Sequence, residues 1–279
     1  KEVVQILTSL GFKILRQNTN AITVQVPSWR ADDISIPEDL VEEVARIYGY
    51  HQLASLLPTG EFPESTSQKT FYWESKIKDT LKNWGFTEVY TYSMQSEELI
   101  KKASLNPKKC LRIINPLTQD LEYMRTSLIP SLLQVITDNQ ANFEQIKIFE
   151  LTKTYLPRKN NLPEEKSILI GAISGKNKFY QAKGIIEGLF EELGIIDYEF
   201  RTMNYDINLW HRTRTALIMK EKELLGLIGE IHQQTLVNFG IDKKVVVFNL
   251  DADLLLNLAT SRKTYTSIPK YPVIVEDLC

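Results

Sequence analysis

The sequence predicts an α+β fold. A small helix–hairpin–helix module of winged-helix-like order is followed by a mainly antiparallel sheet that carries helices on one face. Three observations predict it. Short apolar runs with period-2 alternation recur, as at residues 22–26 and 146–155. Helical apolar spacing appears between them, as at Trp73, Ile77, Leu81 and Trp84. Most successive strands are joined by hairpins or by helices that need not cross over, which favours α+β over a parallel α/β sheet.

The first module spans residues 1–57. A helix with Val3, Leu7 and Leu10 on one face stops at Gly11. A hairpin turns at residues 18–20, and its second strand ends at Pro27, which has no N–H for a ladder. A second helix is expected to start near Ser35. Ser35 and Glu38 have capping-box spacing, and Pro37 suits a first helical turn. Leu40, Val44, Ile47 and Tyr48 form its apolar face. Residues 58–68, PTGEFPESTSQ, read as a linker.

The second domain spans residues 69–265. A helix at 71–84 closes at Gly85, its aromatic stripe reading as core. Strands follow at 87–93 and 111–114, a helix at 129–143, and strands at 146–155 and 167–174 around a polar loop. A helix at 180–193 ends at Gly194. A hairpin (213–219, 223–230), a short helix (232–239), a strand (245–251) and a short helix (252–258) complete it. Residues 266–279 read as a linker or the start of a further domain, with a strand beginning in YPVIVEDL. Both ends read as cut from a longer chain.

The segment 26–50, VPSWRADDISIPEDLVEEVARIYGY, carries the densest chemistry. Asp39, Glu42, Glu43 and Arg46 share one helical face, and Asp33 lies just before it. Acids in a first turn complement the helix dipole and need no ligand. The same acids also suit a hard cation, since Mg²⁺ takes oxygen ligands and keeps several waters. Spacing alone leaves both readings open.

The chain has 279 residues, 43% hydrophobic and 24% charged, with net charge −2. That balance excludes a protein that coats nucleic acid over its whole surface. Cys110 and Cys279 have no metal spacing and suggest no disulfide framework, so the reducing cytosol is expected. No apolar run is long enough to span a membrane. Neither a Walker-type nor a dinucleotide glycine loop is present, and there is no nucleophile elbow. His51, His211 and His232 stand apart and read as structural or solvated. Arg125, among apolar neighbours in NPLTQDLEYMRTSLIP, is either an anchor for its loop or a subunit-interface residue.

The ordered segments resemble one family, the beta subunit of bacterial-type phenylalanyl-tRNA synthetase. LTSLGF (7–12), VPSWR (26–30) and DLVEEVARIYGY (39–50) are similar to the module before its catalytic-like domain. NWGFTEVYTYSM (83–94), NPLTQDLEYMRTSLIPSLL (115–133), KIFELTKTY (147–155), KGIIEGLFEELGI (183–195) and GLIGEIHQQTLVNFGI (226–241) resemble that domain itself. PKYPVIVEDL (269–278) resembles the entry to its C-terminal anticodon-binding domain.

The resemblance implies a class II synthetase-like antiparallel sheet flanked by helices, in a cytoplasmic (αβ)₂ ligase that joins phenylalanine to tRNA(Phe) using ATP and Mg²⁺. It implies an active site in the alpha subunit and a supporting, non-catalytic role for this chain. The strand at 147–155 has no Arg-x-Glu, and the segment at 226–236 has no terminal Arg. The family's Mg²⁺ ligands map onto Asp33, Asp39, Glu42 and Glu43. Two residues separate Arg30 from Asp33 where the family pattern has one, which leaves Asp32 as the alternative first ligand. ATP is expected to be used by the holoenzyme rather than held by this chain. Against this stands a free-standing winged-helix module that binds nucleic acid.

Overall fold

A computed structural model of the chain describes residues 1–57, 59–60, 69–202, 209–262, 265 and 267–277. It divides into two compact units, Lys1–Ser65 and Thr66–Cys279. Most of the expected linker at 58–68 lies outside the described residues.

In the first unit, helix α1 (Glu2–Ser9) leads into a hairpin of β1 (Lys13–Gln17) and β2 (Ile22–Gln25). Asn18 makes the turn, its Oδ1 accepting the N–H groups of Asn20 and Ala21 at 2.9 and 2.7 Å. A 3₁₀ turn (Ser28–Arg30) follows, then helix α2 (Pro37–Tyr48). The helix starts one residue later than the Ser35–Glu38 spacing suggests, with Ile36 rather than Ser35 at the N-cap. Pro37 takes the first helical position, where its missing N–H is harmless, and Asp39 supplies the cap instead. Leu7, Phe12 and Ile34 form a small core against Leu40 and Val44. Ile47 and Tyr48, expected on that apolar face, are exposed, because the core is too short to reach the helix's last turn.

The second unit is built on a seven-stranded sheet. Its strands are β3 (Thr87–Glu88), β7 (Lys147–Leu156), β8 (Glu164–Ser174), β9 (Glu199–Thr202), β10 (Trp210–Lys220), β11 (Glu223–Ile231) and β12 (Val245–Asp251). The spatial order is β3-β7-β8-β12-β11-β10-β9, antiparallel throughout except for the β3–β7 pair. A separate small sheet joins β4 (Met94–Gln95), β6 (Tyr123–Met124) and β5 (Leu111–Arg112).

Helices cover both faces of the large sheet, not one. Alternation along each strand sends Phe149, Leu169, Ile173, Val246 and Phe248 to one side. There they meet α3 (Lys69–Asn83), α6 (Phe179–Leu193) and α8 (Ala252–Leu258). Ile148, Ile170, Ala172, Val245 and Val247 face the other side. They pack with α4 (Glu97–Lys102), α5 (Ile129–Asn139) and α7 (Gln233–Asn238). With both faces buried, the central strands lose the polar alternation that a one-sided sheet would show.

Of the expected strand at 87–93 only β3 forms, and the next strand, β4, begins just past it at Met94. β3 pairs with β7, and the chain then leaves the large sheet to reach β4. Helix α5 ends at Asn139 rather than 143. The expected strand in YPVIVEDL is absent from its described residues, 271–277.

Candidate functional site

The acidic segment gathers around an arginine. The 3₁₀ turn and the buried Ile34 set the backbone so that Arg30 and Asp33 face each other at i,i+3. Arg30 donates from Nε and Nη2 to Asp33 Oδ2 at 2.9 and 2.7 Å. Its Nη1 donates to Glu43 Oε2 at 3.0 Å, and Nη2 lies 3.0 Å from Glu43 Oε1. Arg46, one turn further along α2, donates to Glu43 Oε2 at 2.8 Å.

The electrostatics follow from these contacts. Glu43 is 7% exposed, and its carboxyl is lowered to about 2 by hydrogen bonds from Arg30 and then Arg46. Arg30 holds Asp33 below the usual carboxylate range, and both acids raise Arg30, Glu43 the more strongly. Asp39 Oδ2 accepts the N–H groups of Ser35 at 2.7 Å and Ile36 at 2.9 Å. Those two bonds, Ile36's first, lower its pKa. Glu42 and Asp32 are exposed.

The four sequence-predicted ligands are therefore neighbours without being a ligand set. Asp33 and Glu43 converge on a guanidinium, Asp39 is committed to the helix cap, and Glu42 points to solvent. Among the described residues, no group of three His, Cys, Asp or Glu side chains converges as a metal site would require. As arranged, these residues do not fit a divalent cation, because a positive group already fills the space between the two closest acids.

Arg125 is 1% exposed, so its side chain lies on no surface. Nε donates to the Lys153 carbonyl at 3.0 Å and Nη2 to Thr152 Oγ1 at 2.8 Å. Nη1 reaches Thr91 Oγ1 at 2.9 Å, the carbonyls of Thr91 and Tyr92 at 3.2 Å each, and Glu150 at 3.5 Å. Burial lowers its pKa, opposed by Glu150. This supports the loop-anchor reading, and any contribution to an interface runs through what Arg125 holds. It fixes the backbone of residues 91–92, where Tyr90 and Tyr92 are 82% and 75% exposed. These two tyrosines line a groove of about 630 Å³ with Met94, Leu99, Leu121 and Val135. Ile114 and Leu117, in the connection between β5 and β6, are also exposed.

Sequence reasoning missed Thr91 and Glu150 as partners of Arg125. The signal was present, since Glu150 interrupts the apolar run of β7 and a lone acid there demands a partner. The histidines behave as expected. His232 Nδ1 accepts the Gln234 N–H at the start of α7, and His211 Nδ1 accepts the Thr213 N–H. Cys110 is a free thiol, while Cys279 lies outside the described residues.

The fold is shared with an aminoacyl-tRNA synthetase. Pyrrolysyl-tRNA synthetase from Desulfitobacterium hafniense superposes with a TM-score of 0.57 over 67% of this chain and 68% of that one, at 17% identity. A second structure of that enzyme gives 0.56 over 67% of each chain, at 18% identity. Two family models divide the chain: the tRNA synthetase B5 domain matches residues 1–50, and the phenylalanyl-tRNA synthetase beta chain CLM domain matches 53–252. The chain belongs to the phenylalanyl-tRNA synthetase beta chain family.

Phenylalanine–tRNA ligase beta subunits of Carboxydothermus hydrogenoformans and Staphylococcus aureus strain MRSA252 are 31% and 32% identical to it over 100% and 99% of the chain. The one from Clostridium tetani is 30% identical over 93%. The chain spans 33–36% of the length of these curated relatives.

Proposed function

We propose that the chain is the structural core of the beta subunit of a phenylalanine–tRNA ligase. It supports a catalytic alpha subunit, which uses ATP and Mg²⁺ to charge tRNA(Phe) in an (αβ)₂ assembly in the cytoplasm. The chain itself carries out no chemical step. Its first unit, with helix, hairpin and helix in order, takes the winged-helix-like role.

The observation that carries this reading is the exposed apolar segment held by Arg125. Tyr90 and Tyr92 stand on a backbone that a buried guanidinium clamps, and Ile114 and Leu117 of the same unit are exposed as well. Rigid aromatic groups on an ordered backbone suit a protein partner, because little entropy is lost when they are covered. The polar groups at the sheet are already used within the chain: Glu150 accepts from Thr91 N–H, Thr91 Oγ1 and Arg125. No helix among the described residues is long and apolar enough to cross a membrane.

Co-purification with a bacterial alpha subunit tests the proposal. A stable complex supports it. Failure of a properly folded chain to form one contradicts it. The free-standing nucleic-acid-binding reading is less favoured, since α2 presents acids to a polyanion. Duplex DNA shifted by the isolated chain in a salt-dependent way would revive it.

A further inference from the structure

The resemblance places a divalent cation where this chain places a guanidinium. We infer that Arg30 is the built-in cation of the first unit, and that its acidic segment closes without a divalent ion.

The geometry is specific. Two residues, Ala31 and Asp32, separate Arg30 from Asp33. That spacing brings the side chains together across the turn that follows Ser28–Arg30, where the Ile34 N–H donates to the Arg30 carbonyl at 3.1 Å. With one residue fewer the two side chains would diverge, as i,i+2 neighbours do on a helical turn. The guanidinium grips Asp33 with two nitrogens and still reaches Glu43, thirteen residues away. It thereby joins the loop before α2 to the helix itself, which is the structural task a bridging ion would perform.

The ion pairs agree. Asp33 and Glu43 are met by Arg30 and Arg46, so these two acids are balanced without an added ion. A dication entering between the acids would have to displace Arg30 against its own repulsion. Of the two remaining acids, Asp39 would have to weaken its cap and Glu42 would have to turn in from solvent. The fixed planar fork also suits two carboxylates at once, which a lysine ammonium cannot match. Arg30 is thus a positioning residue, acting through Asp33 and Glu43. The inference does not depend on the ligase role.

Thermal unfolding of the 279-residue chain, with and without EDTA and millimolar Mg²⁺, tests it together with a direct Mn²⁺ titration. The expected midpoint is the same in EDTA and in Mg²⁺, and no Mn²⁺ binds. Arg30→Gln is expected to lower the midpoint and to make it rise with Mg²⁺, because two carboxylates then face each other without a counter-charge. Arg30→Lys is expected to recover part of the midpoint with no Mg²⁺ response. A purely structural arginine would give no such switch in metal response. If Arg30→Gln does not fold, the wild-type titrations decide alone. A wild-type midpoint that rises with Mg²⁺, with the rise lost in Asp33→Asn, overturns the inference, as does Arg30→Gln unfolding at the wild-type midpoint.

Discussion

Arg125 and Glu150 form a buried ion pair at 3.5 Å that Thr91 completes, its hydroxyl accepting from the arginine at 2.9 Å and donating to the carboxylate at 2.7 Å. The three come from distant parts of the sequence, and together they pin the segment bearing Tyr90 and Tyr92 to strand β7. Breaking such a pair leaves one charge buried alone. Arg125→Ala should therefore lower unfolding stability by about 3–5 kcal/mol, measured by denaturant titration. The double variant Arg125→Met, Glu150→Leu should recover part of that loss, since no unpaired charge remains while the carbonyls of Thr91, Tyr92 and Lys153 still lack their donor. Equal instability of the single and double variants would show that the pair is not the source of the loss.

Gly171 and Phe248 face each other across the β8–β12 ladder. A Cβ on Gly171 would lie 2.1 Å from the Phe248 ring, which is fully buried. Gly171→Ala should destabilise the second unit by about 1–3 kcal/mol through overpacking. Phe248→Leu made in that background should relieve part of the cost. Thermal unfolding of the four proteins in the cycle measures the coupling.

Glu43 sets an acid limb. Its pKa falls from an ordinary 4.5 to about 2 on folding. A depressed carboxyl contributes stability that is full above its unfolded value and is lost as pH drops through the folded one. The first unit should therefore weaken between pH 4.5 and about 2. Glu43→Gln should flatten that part of the pH–stability curve while lowering stability at neutral pH. An acid limb of unchanged steepness in Glu43→Gln would assign it to other carboxylates.

The exposed aromatic segment should matter for association and little for folding. Tyr92→Ala should leave the unfolding midpoint near wild type, as exposed positions usually do. Its affinity for an alpha subunit should fall by about 2 kcal/mol, or roughly 30-fold, if Tyr92 is a central contact. Calorimetric titration separates the two effects. Wild-type affinity in both Tyr92→Ala and Ile114→Asp would move the interface elsewhere on the chain.

Much of the second unit's framework is legible in the sequence, because its long strands and helices obey single periods. Strand β12 and helix α8 fall where expected, at Val245–Asp251 and Ala252–Leu258. The strand expected at 87–93 keeps only its first two residues, because the chain leaves the large sheet there and joins the small one at Met94. β3 and β4 have two residues each, too short for any period to register. Helices α5 and α7 were expected, but their place on a second face was not, and α4 had no expected counterpart. Strands such as β8 end in residues buried on both sides, so no polar alternation marks one face as open to solvent.

The candidate site was half legible. Spacing along α2 places Asp39, Glu42 and Glu43 near one another, and Asp33 does lie beside Glu43. The sequence could not show that Arg30 stands between them, since a 3₁₀ turn leaves no periodic trace. Nor could it show that Asp39 caps the helix. That choice depended on Pro37 moving the helix start past Ser35.

The most direct measurement is phenylalanine- and ATP-dependent pyrophosphate exchange by a bacterial alpha subunit, alone and with this chain added. A supporting core predicts no exchange by the chain alone and a clear rise in the alpha subunit's rate when a stable complex forms. A stable complex whose exchange rate equals that of the alpha subunit alone would contradict the supporting role, and exchange by the isolated chain would contradict its being non-catalytic.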